Sequence, residues 1–282
     1  DYLVVADAPH ENHRQAEAFD EDDALLGGGP VTESRRGTPP RVPEGPCGWI
    51  GRRAAMEIQP GDIFNLGIGI PGDSVTAALE EAGRLHLSTP TLEAGVIGGV
   101  GVGGNSFGIA VNPEGRLDQG AMFDFYHGGG LDITVMGAAE IDRHGDINVS
   151  LFNGRPTGCG GFIDITQSTP RVVFCSTFTA GDLEIALENG RLHIVREGKH
   201  RKFVNKVQQI TFSAQQAIAR GLEVKVVTER CVFELGSRNG HGHWILTEIA
   251  PGIDLERDIL AHIDFCPEVA PGLKTMDASC FR

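Results

Sequence analysis

Glu93 is the only charged residue in the stretch TLEAGVIGGVGVGG, residues 91–104, and six glycines follow it. A solvated surface acid needs no glycine around it. An acid that must meet a bulky ligand at close range does, because only glycine lets backbone approach without a Cβ in the way. Leu92, Ala94, Val96 and Ile97 surround Glu93 with apolar side chains. Such a setting desolvates a carboxylate, raises its pKa and leaves it poorly hydrated. A carboxylate in that state is a usable nucleophile. The competing reading is a surface acid that opens a loop.

A second candidate is GCGG, residues 158–161, inside GRPTGCGGFIDIT. Consecutive amides at Gly160 and Gly161 make a concavity able to hold an oxyanion. Cys159 has no accompanying His or Asn pattern and reads as a small buried thiol rather than a nucleophile. A third is LGIGIPG, residues 66–72, at a strand end before a helix. Gly67, Ile68 and Gly69 form either a tight turn or a phosphate cradle at a helix N-terminus. The pattern is not GxGxxG, and no P-loop lysine follows.

Three further patterns have ordinary readings beside functional ones. FDFYHGGGLDI, residues 123–133, could line a substrate channel, but core packing followed by a turn is the preferred account. His241 and His243 in NGHGH lack the spacing of a helical metal site, and a polar hairpin tip is expected there, with no metal. The acids of DLERD, residues 254–258, read as the solvated first turns of a helix.

Composition narrows the classes. With 24 Lys and Arg against 38 Asp and Glu, the 282-residue chain carries a net charge of −14. Nucleic-acid binding rests on neutralising phosphates, so no nucleic-acid partner is expected. An anionic ligand would need locally placed cations, glycine-loop amides or a second chain. The six cysteines, at 47, 159, 175, 231, 266 and 280, form no CxxC pair and no disulfide framework, which points to a reducing cytoplasm. No apolar run approaches the roughly 18 residues of a membrane helix, and no signal peptide is visible. DYLVVAD, at residues 1–7, reads as a strand without an initiating Met, as expected of a piece of a longer product.

The elements that must position these groups follow from period and punctuation. Residues 8–47 hold DEDD, GGGP and TPPRVPEGP and read as a linker. A helix is expected over 49–58, stopped by Pro60-Gly61. A buried strand at 62–70 runs into the glycine turn. A helix at 73–84, capped by Asp73 or Ser74, follows. A short strand at 86–89 delivers the chain to Glu93. Strands are expected at 107–111, 131–141, 147–151, 171–178, 192–197, 223–229, 231–235 and 244–249, with FIDIT (162–166) also strand-like. Helices are expected at 213–220 and 254–263. Strands alternating with helices imply an α/β fold: an open, mainly parallel sheet flanked by helices, mixed in its second half.

Six ordered segments together resemble the family I CoA-transferases, of the acetate, 3-oxoacid and propionate kind. They are NLGIGIP, LEAGVIGGVGVGG, FDFYHGGGLDITVMGAAEIDRHGDINVS, GCGGFIDI, VVFCSTFTAG and LTEIAPGIDLERDIL. The resemblance runs over about 46–278 and is to the β subunit, or to the C-terminal half of single-chain members. It implies a CoA-transferase-type domain at 46–282, with residues 1–45 the end of an N-terminal half and its linker. It makes Glu93 the nucleophile of an E-x-G element, gives Gly160 and Gly161 an oxyanion hole, and sets Gly67, Ile68 and Gly69 near bound CoA. CoA is then a substrate and covalent intermediate, with no tightly bound cofactor. The implied reaction moves CoA between a short-chain acyl-CoA and a carboxylate in a ping-pong sequence. The implied partner is an α-type N-terminal half or subunit within a homo- or hetero-oligomer in the cytoplasm. Acyl-CoA hydrolysis on the same scaffold, and a non-catalytic sensory domain of related fold, are the alternatives.

Overall fold

The apolar runs IFNL, ITVMG and RVVFC become neighbouring strands at the centre of one sheet. A computed structural model describes residues 41–103 and 107–282. The strand expected at 1–7 and most of the linker expected at 8–47 lie outside the described residues. The sheet has ten strands: β1 (Ile63–Leu66), β2 (Thr89–Leu92), β3 (Val96–Ile97), β4 (Gly115–Arg116), β5 (Ile133–Gly137), β6 (Arg171–Cys175), β7 (Glu223–Val227), β8 (Cys231–Arg238), β9 (His241–Ile249) and β10 (Glu268–Thr275). Their spatial order is β10-β9-β8-β7-β6-β5-β1-β2-β3-β4.

The five strands β7-β6-β5-β1-β2 run parallel. Antiparallel pairings flank them, β7 with β8 and β2 with β3. The mainly parallel, mixed sheet expected from the sequence is therefore present. β5 and β6 are buried almost throughout, as strands covered on both faces must be, and this is why they read as unbroken apolar runs.

Register assigns the faces. Asn65 pairs with Thr91 and with Thr134, Thr134 with Val172 and Met136 with Phe174. These side chains share one face. On it lie α3 (Gln119–His127) and α4 (Phe162–Ser168), through Tyr126, which binds Asn65, and Phe162, which stacks on Phe174 at 5.8 Å. Phe64, Leu66 and Val135 point to the other face. There α1 (Pro46–Ala55) and α2 (Ile70–Glu81) pack against each other and against the sheet, burying Ile50, Ala54, Val75 and Leu79. α5 (Ala214–Arg220) packs against β9.

Local chemistry explains several boundaries that differ from expectation. α1 begins at Pro46 rather than 49, because proline suits the first helical turn, whose N–H is unpaired anyway. α2 begins at Ile70 rather than 73, with Pro71 in its first turn and Gly69 as N-cap. Asp73 and Ser74 are therefore inside it. FIDIT is helical, not a strand. Phe162, Ile165 and Thr166 are its buried positions, a spacing of three and four that only a helix brings to one face. The helix expected at 254–263 is a short π-turn at Leu255–Ile259 followed by a 3-10 turn. Asp254 and Glu256 there are exposed, as expected of a solvated face, but Asp258 is buried and accepts from the Asp254 N–H at 2.8 Å.

At the carboxyl end of the parallel strands, the turn joining β7 to β8 carries Arg230, which is fully buried. Its guanidinium donates to both carboxylate oxygens of Glu197 at 2.7 and 2.8 Å and to the Asp258 carbonyl at 2.7 Å. It also reaches Glu229 at 3.1 Å, itself fully buried. Removing the cation strands two carboxylates, which typically costs about 3–5 kcal/mol. Arg230→Met is expected to lower the unfolding free energy by that order, read as a shift of the urea midpoint.

Candidate active site

β2 delivers Glu93 to a three-residue hairpin turn. Leu92 pairs with Val96 across Glu93-Ala94-Gly95, and the Gly95 N–H donates to the Leu92 carbonyl at 2.9 Å. Gly95 has φ +98°, and a Cβ on it would stand 1.9 Å from the Leu117 carbonyl oxygen. Both the conformation and the space exclude a side chain. Strand alternation puts Glu93 on the same face as Thr91, two residues earlier, and so toward α3.

The GCGG loop arrives at the same place from 68 positions further along the chain. A Cβ built on Gly161 would lie 2.9 Å from Glu93 Oε2 and 2.7 and 2.8 Å from Cζ and Cε1 of Phe123. Glycine at this position lets carboxylate, ring edge and loop backbone meet. Gly160, at φ +50°, turns the chain into Gly161, the N-cap of α4. Among the described residues neither the Gly160 nor the Gly161 N–H donates to a backbone carbonyl. Both amides are thus free for a ligand oxyanion.

Glu93, Gly160 and Gly161 line a cleft of about 500 Å³ together with Gly67, Ile68, Met136, Gly137, Ala138 and Phe152; Phe123 stands beside it, at Gly161. The cleft opens beyond the carboxyl ends of β1, β2 and β5. From β1 the chain passes through α2 on one face to β2. It later returns through α3 on the opposite face to β5, on the other side of β1. This reversal leaves a crevice between neighbouring strand ends, where open α/β sheets bind ligands. Of the first glycine turn, Gly67 and Ile68 reach the cleft, and Ile68 is 72 % exposed. The Gly67 N–H is engaged by the Val135 carbonyl at 2.8 Å, so Gly67 is a wall and not a donor. Gly69 caps α2 and is not part of the lining.

Electrostatics distinguish Glu93 from the other acids of the chain. Among the described residues its carboxylate accepts no hydrogen bond and forms no ion pair, and burial raises its pKa. Beneath it the polar groups are satisfied by one another. Tyr126 donates to Thr91 Oγ1 at 3.0 Å, Thr91 donates to the Phe64 carbonyl at 2.9 Å, and Asn65 donates to the Tyr126 hydroxyl at 3.2 Å. Burial, together with the nearby Glu93 charge, pushes the Tyr126 hydroxyl up to about 12, and it stays neutral. The network anchors the end of β2 without offering Glu93 a cation.

FDFYHGGGLDI is core packing followed by a turn, as expected, with Tyr126 buried and Phe123 packed against the core; none of it lines the cleft, though Phe123 and Glu93 both stand close to Gly161. The spacing of three between Phe123 and Tyr126 along an amphipathic helix was the available signal for this packing. Cys159, expected to be buried, is half-buried in the cleft wall. His241 and His243 stand at the β8–β9 hairpin tip, as expected.

No protein-family model matches the chain. It is 46 % identical over 237 residues to caffeate CoA-transferase of Acetobacterium woodii, covering 82 % of this chain and 44 % of that one. It is 31 % identical over 237 residues to acetate CoA-transferase subunit beta of Escherichia coli K12, covering 80 % of this chain and 95 % of that subunit. The chain belongs to the family I CoA-transferases. The crystal structure of the acyl-CoA transferase YdiF apoenzyme from E. coli O157:H7 superposes with a TM-score of 0.79 at 41 % identity, over 92 % of this chain and 48 % of that one. The same enzyme has been crystallised as a thioester complex with CoA. The chain therefore spans less than half the length of the single-chain transferases it matches and nearly all of a β subunit.

Two outcomes follow for this transferase-family site. Gly161→Ala would drive a methyl group into Phe123 and Glu93. kcat should fall about a hundredfold, the order expected of a misplacement of roughly 1 Å, with KM little changed. The second outcome concerns stability. Unfolded, Glu93 loses its proton near its ordinary value of about 4.3; folded, it holds the proton to higher pH. As pH rises through that window the buried charge costs stability. Glu93→Gln should therefore raise the thermal midpoint at neutral pH and leave it near the wild-type value at pH 3, as measured by calorimetry.

Proposed function

We propose that this chain supplies the catalytic carboxylate of a CoA-transferase that moves CoA between a short-chain acyl-CoA and a carboxylate acceptor. The carrying observation is the half-buried Glu93 carboxylate, unpaired among the described residues, beside Gly161 in a cleft at the carboxyl ends of parallel strands. Burial keeps the carboxylate poorly solvated and hence reactive. Glu93 attacks the thioester carbonyl, giving an acyl-glutamyl anhydride and CoA thiolate. The thiolate then attacks the glutamyl carbonyl, expelling the first carboxylate and leaving CoA on Glu93 as a thioester. The acceptor carboxylate runs the two steps in reverse. Each addition forms a tetrahedral oxyanion, for which the free Gly160 and Gly161 amides are the donors. Loss of one such donor typically costs about 3–4 kcal/mol of barrier. The thioester complex of the YdiF relative supports the covalent route.

Residues 46–282 form the β-type catalytic domain in this reading, and an α-type half, fused or separate, closes the cleft. The coverage of the relatives supports that division. Gly67 and Ile68 form the wall along which CoA lies, with Gly69 shaping the turn behind them. CoA enters as a substrate, no metal takes part, and the assembly is an oligomer working in the cytoplasm.

The test is covalent capture. The complete enzyme, this chain with its complementary half, is incubated with acyl-CoA, reduced with borohydride and digested for mass mapping. The peptide carrying Glu93 is expected to show the reduced side chain. Modification of another carboxylate, with Glu93 untouched, would sink the assignment. Glu93→Gln is expected to abolish transfer while preserving the circular dichroism spectrum.

A further inference from the structure

A CoA-transferase must keep water off its activated glutamyl carbonyl, and water outnumbers any acceptor carboxylate. Attack by water forms a C–O bond to that carbonyl and breaks the C–S bond. It returns Glu93 as a carboxylate and releases CoA and a proton, and the thioester is lost. The group that prevents this must be apolar, must stand beside Glu93, and must be held from behind. Phe123 meets all three conditions. The edge of its ring and Glu93 Oε2 converge within 2.9 Å of one point, the Cβ position of Gly161. A ring edge offers the carboxylate no N–H or O–H, so it removes water without pairing the charge.

The ring is backed by Tyr126, and its helix is anchored at both ends. The ring packs edge-on against Tyr126, with centroids 5.8 Å apart at 75°, and the Tyr126 hydroxyl is bound to Thr91 and Asn65. Those two residues belong to β2 and β1, the strands whose ends make the cleft. The helix itself is capped by Asp118, which accepts from the Ala121 N–H at 3.1 Å. It is tied to α4 by His127 Nε2 and Asp164 Oδ1 at 2.9 Å. The element carrying Phe123 and the element opening at Gly161 are therefore joined to each other.

We propose that Phe123 is a positioning residue that excludes water from the Glu93 carbonyl and so sets the balance between CoA transfer and CoA hydrolysis. This rests on Glu93 as the nucleophile. It goes further by naming the residue that decides which acceptor, carboxylate or water, completes the cycle.

The experiment uses the complete enzyme with Phe123→Leu, Phe123→Val and Phe123→Ala. Thiol release from acyl-CoA without acceptor is compared with CoA transfer to acetate, and the Glu93–CoA adduct is followed by mass. The ratio of hydrolysis to transfer should rise in the order wild type, Leu, Val, Ala, by tenfold or more at Ala. The adduct's lifetime should shorten in step. The acid limb of the pH–rate profile should move down toward the ordinary carboxylate range in Phe123→Ala and stay in place in Phe123→Leu. If Phe123→Ala does not fold, the Leu-to-Val step reads the same trend. Equal ratios across variants that still form the adduct would overturn the role of Phe123. A wild-type enzyme that forms no adduct on Glu93 would overturn the nucleophile itself, and it is read before any variant is made.

Discussion

A carboxylate kept half out of water, with no partner among the described residues, is the constraint on which this site depends. Burying an ionised group without an ion pair or hydrogen bond is costly, and proteins normally avoid it. Every polar group directly beneath Glu93 is satisfied by a neutral neighbour, in the chain from Tyr126 through Thr91 to the Phe64 carbonyl. A lysine or arginine at Tyr126 would give that carboxylate an ion-pair partner and end its isolation. Elsewhere the chain pairs its buried acids, as Arg230 does for Glu197 and Glu229. The contrast sets Glu93 apart from the paired structural acids of the described residues.

The sheet turns that constraint into a site. Parallel strands end on one side, so the turns after β1, β2 and β5 fall together. The reversal of direction about β1 then leaves an opening between them. Gly95 and Gly161 supply the close approaches that the opening needs. One forms a turn no side chain can occupy, and the other is a place where carboxylate, ring and backbone meet. The aromatic layer of Phe123 and Tyr126 is carried by α3, which lies on the face shared by Asn65, Thr91 and Thr134. Site chemistry and core packing are thus the same set of contacts seen from opposite sides.

Much of this was legible in the chain itself. The lone charge of TLEAGVIGGVGVGG marked Glu93, and the doubled glycine of GCGG marked the second contributor. Apolar runs such as ITVMG and RVVFC announced buried strands, and their alternation with helical stretches announced a mainly parallel sheet. These are local signals, written in residue type and period. Local reading failed where two periods compete over few residues. FIDIT holds apolar residues at spacings compatible with either state, and burial of Phe162, Ile165 and Thr166 against the sheet selected the helix.

Only the tertiary structure decided which separated residues meet. The contact of Glu93 with Gly161 depends on strand order and parallel register, neither of which leaves a mark in the sequence. The same holds for Phe123 and Tyr126, whose aromatic character fits a core as well as a cleft. It holds for Gly69, which the sequence groups with Gly67 and Ile68 and which the turn directs into α2 instead. The physical reason is that composition and period govern how a segment buries its own surface. The position of one segment relative to another is set by the packing of the whole sheet and its helices.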